Sequence, residues 1–106
     1  MATISVLVGA RGTGKTRWVN RNGKKEIPGP FDDGAGRAVC ALVESGVALN
    51  KIAFTSTDPA DINAGSSTVA TKVVDVLVKA LGEKGKNVCV EVLSYDWYRE
   101  GGLSGR

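Results

Sequence analysis

The stretch Ile4-Ser-Val-Leu-Val8, running directly into Gly9-Ala-Arg-Gly-Thr-Gly-Lys-Thr16, decides how the chain is to be read. Its first five residues are a β-branched run suited to a buried strand, and the next eight satisfy G-x-x-x-x-G-K-[ST] in full. Shuffling this composition yields the pattern in about 2% of cases, before any preceding strand is required. The residues that follow admit two readings. Residues 14–22 form two helical turns ended by Gly23, or residues 16–21 form a second strand closed by an Asn22-Gly23 turn. A helix makes the glycine-rich segment a strand-loop-helix joint. A hairpin makes it an ordinary turn, with Arg11 and Lys15 simply solvated.

Beyond this stretch, Pro28, Gly29, Pro30, Asp32, Asp33, Gly34 and Gly36 break the pattern and mark a surface loop. Residues 35–45 place Val39, Leu42 and Val43 on one helical face, and Gly46 is positioned to end that helix. Residues 51–57 read as a strand. A second helix starts at Ser67 or Thr68 and runs to Leu81, with Val69, Val73, Val76, Leu77 and Ala80 on one face and Lys72, Asp75 and Lys79 on the other. Gly82 and Gly85 stop it, and residues 87–93 form a strand. Ala41-Leu-Val-Glu-Ser-Gly46 to Ile52-Ala-Phe-Thr-Ser-Thr-Asp58 lines up with Ala80-Leu-Gly-Glu-Lys-Gly85 to Val90-Glu-Val-Leu-Ser-Tyr-Asp96. This is one helix, glycine, strand, hydroxyl, aspartate unit used twice, by duplication or by the common grammar of αβ units.

Such alternation predicts an α/β fold: a small three-layer sandwich with a mostly parallel sheet and an N-terminal phosphate-binding loop, its functional groups at the carboxyl ends of the strands. Ser56, Thr57, Asp58, Ser94 and Asp96 belong to that edge. Glu91 does not suit a strand buried on both faces, which places the last strand at the sheet border. If residues 16–21 and 24–27 are strands instead, the order becomes β-β-β-α-β-α-β, as in ribonuclease-H-like domains.

The chain has 106 residues and 11.0 kDa, room for one domain, expected over residues 1–98 with a flexible Gly-rich tail over 99–106. Its 42% hydrophobic and 24% charged residues are globular proportions, and no apolar run approaches the roughly 20 residues that span a bilayer, so no membrane partner is expected. Gly9 and Arg11 interrupt the apolar run after Met1 before any leader can form, which predicts a cytoplasmic protein. Cys40 and Cys89, both in apolar contexts, read as reduced core thiols. The absence of histidine removes His-based triads, His metal sites and imidazole bases.

The formal charge of +3 is unevenly spread. Arg11, Lys15, Arg17, Arg21, Lys24 and Lys25 precede the first acid, Glu26, while the remaining 81 residues hold eight cations and eleven acids. A segment of +6 attached to a body of −3 suits a polyanion, either nucleotide phosphates or a nucleic-acid backbone, and also suits a solvated basic surface.

The chemistry concentrates in residues 9–16. Gly9, Gly12 and Gly14 let the backbone bend so that successive amides, including that of Thr13, point inward as an anion nest. Lys15 supplies a charge for the β- and γ-phosphates, the Thr16 hydroxyl a ligand for Mg²⁺, and a helix starting near Gly14 its positive end. The expected ligand is ATP or GTP with Mg²⁺, bound by Gly9, Gly12, Thr13, Gly14, Lys15 and Thr16.

At this point the sequence resembles P-loop NTPases, most closely the nucleotide-binding core of UvrD/Rep-like superfamily-one helicases. The resemblance rests on Val6-Leu-Val-Gly-Ala-Arg-Gly-Thr-Gly-Lys-Thr-Arg17 and on Ala41-Leu-Val-Glu-Ser-Gly-Val-Ala-Leu-Asn-Lys-Ile-Ala-Phe-Thr-Ser56. It covers about half the chain, the first block specific and the second suggestive. It implies a catalytic role for Lys15, and that Ala53-Phe54-Thr55 matches an element touching single-stranded DNA. The family's strand ending in Asp-Glu is missing: neither Thr57-Asp58-Pro59 nor Tyr95-Asp96-Trp97 supplies the pair. Asp58 or Asp96 is left as the metal-side carboxylate, Asp58 being preferred, and turnover is expected to be slow or partner-dependent. The length leaves no room for a second motor domain, and Arg99 and Arg106 can act only across a subunit boundary.

Trp18, Tyr95, Trp97 and Tyr98 suit base stacking or, as is commoner in small domains, core and interface contacts, including self-association or a protein partner. The rival to nucleotide binding is a non-catalytic module for nucleic acid, a nucleotide ligand or a protein, with GxxxxGKT as a turn. The two part at residues 16–27, as helix or hairpin.

Overall fold

The computed structural model of the chain describes residues 2–12 and 14–94. Its elements run β1 (Ala2–Val8), α1 (Lys15–Arg21), β2 (Lys25–Pro28), α2 (Asp33–Glu44), β3 (Ile52–Ser56), α3 (Pro59–Ala64), α4 (Ser66–Leu81), α5 (Glu83–Lys86) and β4 (Val88–Ser94), with a 3-10 turn at Leu49–Lys51 leading into β3. The strands form one sheet in the order β2-β3-β1-β4, and every neighbouring pair is parallel. Parallel neighbours cannot be joined by tight hairpins, so β1, β2 and β3 are each followed by a helical crossover.

Residues 15–21 are helical, which excludes the β-β-β-α-β-α-β alternative: β1 and β2 are not sheet neighbours, since β3 lies between them. Trp18 decides this locally, because its indole packs on the Leu7, Val19 and Ala53 cluster only if the segment coils back over the sheet. Trp18 thus packs, partly buried, against this cluster. The strand at Lys25–Pro28, expected as residues 24–27 only in the ribonuclease-H-like alternative, is parallel to β3, short, and ends on a proline tolerated because β2 is an edge strand.

Side-chain alternation divides the sheet into two faces. Ile4, Val6, Val8, Ile27, Ile52 and Phe54 form the main core with Ala35 and Val39 of α2 and Val69, Val73, Val76 and Leu77 of α4. Phe54 also meets Phe31 edge to face, with ring centroids 5.8 Å apart at 88°. The opposite face carries Leu7 and Ala53 under α1. The result is the expected three-layer α/β arrangement, with one helical layer much larger than the other.

β4 lies at the sheet border, as Glu91 predicted, and Glu91 accepts a hydrogen bond from Ser5 Oγ at 3.4 Å. The same alternation corrects the reading of Cys89 as a core thiol. It shares Glu91's face, beyond the reach of the seven-residue α1, and is exposed. Cys40 is half-buried, its Sγ donating to Ala80 O at 3.3 Å. Two elements of the second half differ from the simple repeat. α3 begins at Pro59 after Asp58, whose carboxylate caps Ala60 N, and α5 follows Gly82. No helix among the described residues is long and apolar enough to cross a membrane. The expected domain end at residue 98, the tail at 99–106, and Tyr95, Asp96, Trp97, Tyr98, Arg99 and Arg106 lie outside the described residues.

Phe54 is 1% exposed and central to the larger core. Phe54→Ala is expected to destabilise the fold by about 3 to 5 kcal/mol, read as a lower urea midpoint with an unchanged slope.

Candidate phosphate site

β1 and β3 are neighbours, but the helix after β1 packs on one face and those after β3 pack on the other. Chains leaving in opposite directions open a crevice at the carboxyl ends of these strands. A cavity of about 700 Å³ lies there, walled by residues 11, 12, 14–17, 26, 28–30 and 55–58. The edge is level, because Val8 pairs with Ser56 on one side and Ser94 on the other.

The loop leaving β1 is pinned at its root. Gly9 N donates to Ser56 O at 3.1 Å, holding the first loop residue against the end of β3. Gly12 and Gly14 then take φ of 79° and 98°, left-handed values that a Cβ would strain. These two turns send the chain back into α1, whose first helical bond is Trp18 N to Gly14 O at 3.0 Å. No side chain caps α1. With only seven residues, α1 contributes little as a dipole, so the positive charge at this end of the loop is that of Lys15.

Lys15 is 7% exposed, and its ammonium donates to Gly9 O and Ala10 O, both at 2.8 Å. Burial pushes its pKa below the ordinary lysine value, while the negative charge of Glu26 works in the opposite direction. The lysine predicted to meet phosphates is therefore folded over its own loop and lines the cavity. Thr16, Arg11 and Arg17 are exposed on the same wall.

Of the residues predicted from the motif, Gly12, Gly14, Lys15 and Thr16 line the cavity, and Gly9 anchors its floor through β3. Thr13 lies outside the described residues. Asp58 lines the same cavity, its Oδ1 accepting from Ala60 N at 2.9 Å. Thr16 and Asp58 are thus on one cavity, as a shared metal role requires. No group of three or more Cys, Asp or Glu that could hold a metal exists among the described residues. One hydroxyl and one carboxylate still suit Mg²⁺, which usually keeps several waters and is completed by substrate phosphates. Ala53 and Phe54 are buried inside β3, so the DNA contact implied for Ala53-Phe54-Thr55 is not available to the first two.

Comparison with protein-family models, curated proteins and solved structures gives no match. Function is therefore read from the geometry.

Three site features were missed from the sequence. Glu26 reaches the cavity from β2 and accepts from Thr55 Oγ1 at 2.7 Å. Its signal was its place as the first acid after six cations, but without β2 it had no location. Pro28, Gly29 and Pro30 form the far wall, held where Gly29 N donates to Thr55 O at 2.6 Å. Asp61, 6% exposed, is the third. Its Oδ2 accepts from Ser56 Oγ at 2.7 Å and its Oδ1 from Lys72 Nζ at 2.8 Å, while Ser56 Oγ in turn accepts from Asp58 N at 3.2 Å. This network fixes the turn that carries Thr57 and Asp58.

Burial acts to raise the Asp61 pKa, but the bonds from Lys72 and Ser56 and the Lys72 charge outweigh it and the net shift is downward. A carboxylate depressed in the folded state contributes stability above its unfolded pKa and loses it as pH falls through the folded value. Asp61→Asn is therefore expected to lower the urea midpoint at about pH 6, and the gap from wild type should narrow by about pH 3.

Proposed function

We propose that this cavity binds a nucleoside triphosphate as its magnesium complex, with phosphates on the loop at residues 9–16. The observation that carries the reading is the Lys15 ammonium, buried at the cavity wall on two carbonyls of a loop whose glycines turn it back into α1. A bound phosphate offers Lys15 anionic oxygens in place of those neutral carbonyls, so the lysine exchanges loop oxygens for ligand oxygens. The amides of Gly12 and Gly14 cradle the β-phosphate, and Lys15 takes the catalytic position between β- and γ-phosphates. Thr16 and Asp58 hold Mg²⁺, which supplies charge neutralisation on the phosphate oxygens.

The exposed Arg11 and Arg17 extend the positive wall outward. They suit the outer phosphates of ATP or GTP and offer a single-stranded nucleic acid a second landing place. Turnover in this reading is slow or partner-dependent, and a cytoplasmic setting agrees with two cysteines outside any disulfide. The rival non-catalytic binder, built on a hairpin at residues 16–27, loses that premise because residues 15–21 are helical.

Isothermal titration checks the reading. Wild type is expected to bind Mg-nucleotide, and Lys15→Ala to weaken binding by about 100-fold or more, the worth of two charged hydrogen bonds. Equal affinity in the two proteins would refute it.

A further inference from the structure

Resting on the phosphate-site reading, we propose that Glu26 is the group that orients and deprotonates the O–H nucleophile attacking the terminal phosphate, a task for which the sequence around Asp58 offers no glutamate. Among the described residues, Glu26 and Asp58 line the cavity and Asp61 is bonded to its lining residue Ser56, and their bonding separates these three carboxylates. Asp61 has both oxygens engaged, one by Lys72 and one by Ser56, and is buried. It positions the turn and has no oxygen left for a substrate. Asp58 is committed through Oδ1 to the start of α3, which ties its carboxylate to the helix as a fixed anion beside the loop. Glu26 is held by one oxygen only: Oε2 accepts from Thr55 Oγ1 at 2.7 Å, and no described residue donates to Oε1.

The fold explains why this carboxylate faces the cavity. Glu26 and Ile27 alternate across β2, and Ile27 is in the main core. Glu26 therefore belongs to the face bearing α1 and Lys15, and its charge is felt at the Lys15 ammonium. Thr55, two residues before the turn carrying Asp58, fixes it from β3. A half-buried carboxylate oriented by a neutral hydroxyl, on the same cavity as the lysine proposed to bind phosphate, is the arrangement a general base needs. In the step, the nucleophile's oxygen bonds to the terminal phosphorus, and its proton passes to the Glu26 carboxylate. The bond from that phosphorus to the bridging oxygen breaks, and its electron pair stays on the departing diphosphate, beside Lys15. The nucleophile is water or the hydroxyl of an acceptor, and both present the same O–H.

The test measures binding and turnover on the same proteins. Wild type, Glu26→Gln and Glu26→Ala are titrated with Mg-ATP and Mg-GTP by calorimetry. Release of the terminal phosphate is followed in water alone, and with glycerol added as a model hydroxyl acceptor, scored as glycerol phosphate. The expected result is binding within about threefold of wild type, or tighter, in Glu26→Gln, with turnover lowered about 100-fold or more. Formate added to Glu26→Ala should restore part of the turnover, which a purely structural role would not allow. Product in water alone identifies hydrolysis, and glycerol phosphate identifies transfer; either supports the proposal if it is lost in Glu26→Gln. Unchanged turnover in Glu26→Gln overturns the proposal, as does a wild type that binds nucleotide and yields neither product. A wild type that binds no nucleotide overturns the phosphate-site reading, and the role of Glu26 with it.

Discussion

Strand β1 is paired in parallel on both sides, with β3 and with β4, and the rest of the molecule is arranged around that constraint. A parallel neighbour must be reached by a crossover, and every crossover begins at the same edge of the sheet. The loop after β1 and the turn after β3 are therefore brought together although Val8 and Ser56 are far apart in sequence. One backbone bond, Gly9 N to Ser56 O, marks where they meet. The glycines at 12 and 14 then bend the loop around the space in front of it, and Lys15 closes the loop from inside.

The uneven thickness of the helical layers follows from the same order. The crossovers through α2 and through α3, α4 and α5 use the face carrying Ile4, Val6, Phe54 and Ile27, and build the main core there. The short α1 covers only the end of the other face nearest the cavity, over Leu7 and Ala53. Hydrophobic burial on that side is thus concentrated under α1, while Cys89 and Glu91 farther down β4 remain exposed. The packing that fixes α1 is the packing that fixes Lys15 and Thr16, so stability and site geometry share Trp18 and Val19.

Much of this was legible in the sequence because the signals were local. The run at residues 4–8, the glycine spacing, the apolar face of Val69, Val73, Val76 and Leu77, and the odd placement of Glu91 each report one element and its burial. The ambiguity over residues 14–22 was real in those terms: Asn20, Asn22 and Gly23 weaken a helix, and only the contact of Trp18 with Leu7 and Ala53 resolves it. The opposite side of the site was not legible. Glu26 comes from β2 and Thr55 from β3, and their bond depends on those strands being neighbours, a long-range fact that no periodicity records; Asp61 meets Ser56 only because the chain turns into α3 after β3. The short α3 had a signal, Asp58 before Pro59 at a helix start, but the same residues also read as the end of a strand.

The central claim is that the loop at residues 9–16 is a phosphate site. Two-dimensional ¹⁵N–¹H NMR of the native chain, titrated with Mg-ATP and then with Mg-GTP, tests it at the atoms concerned. The account predicts that the largest shifts fall on the amides of Gly12, Gly14, Lys15 and Thr16, with smaller ones at Ser56 and Asp58 and none along α2 or α4 on the other face of the sheet. Loop amides that stay unmoved at millimolar concentrations of both nucleotides would contradict it.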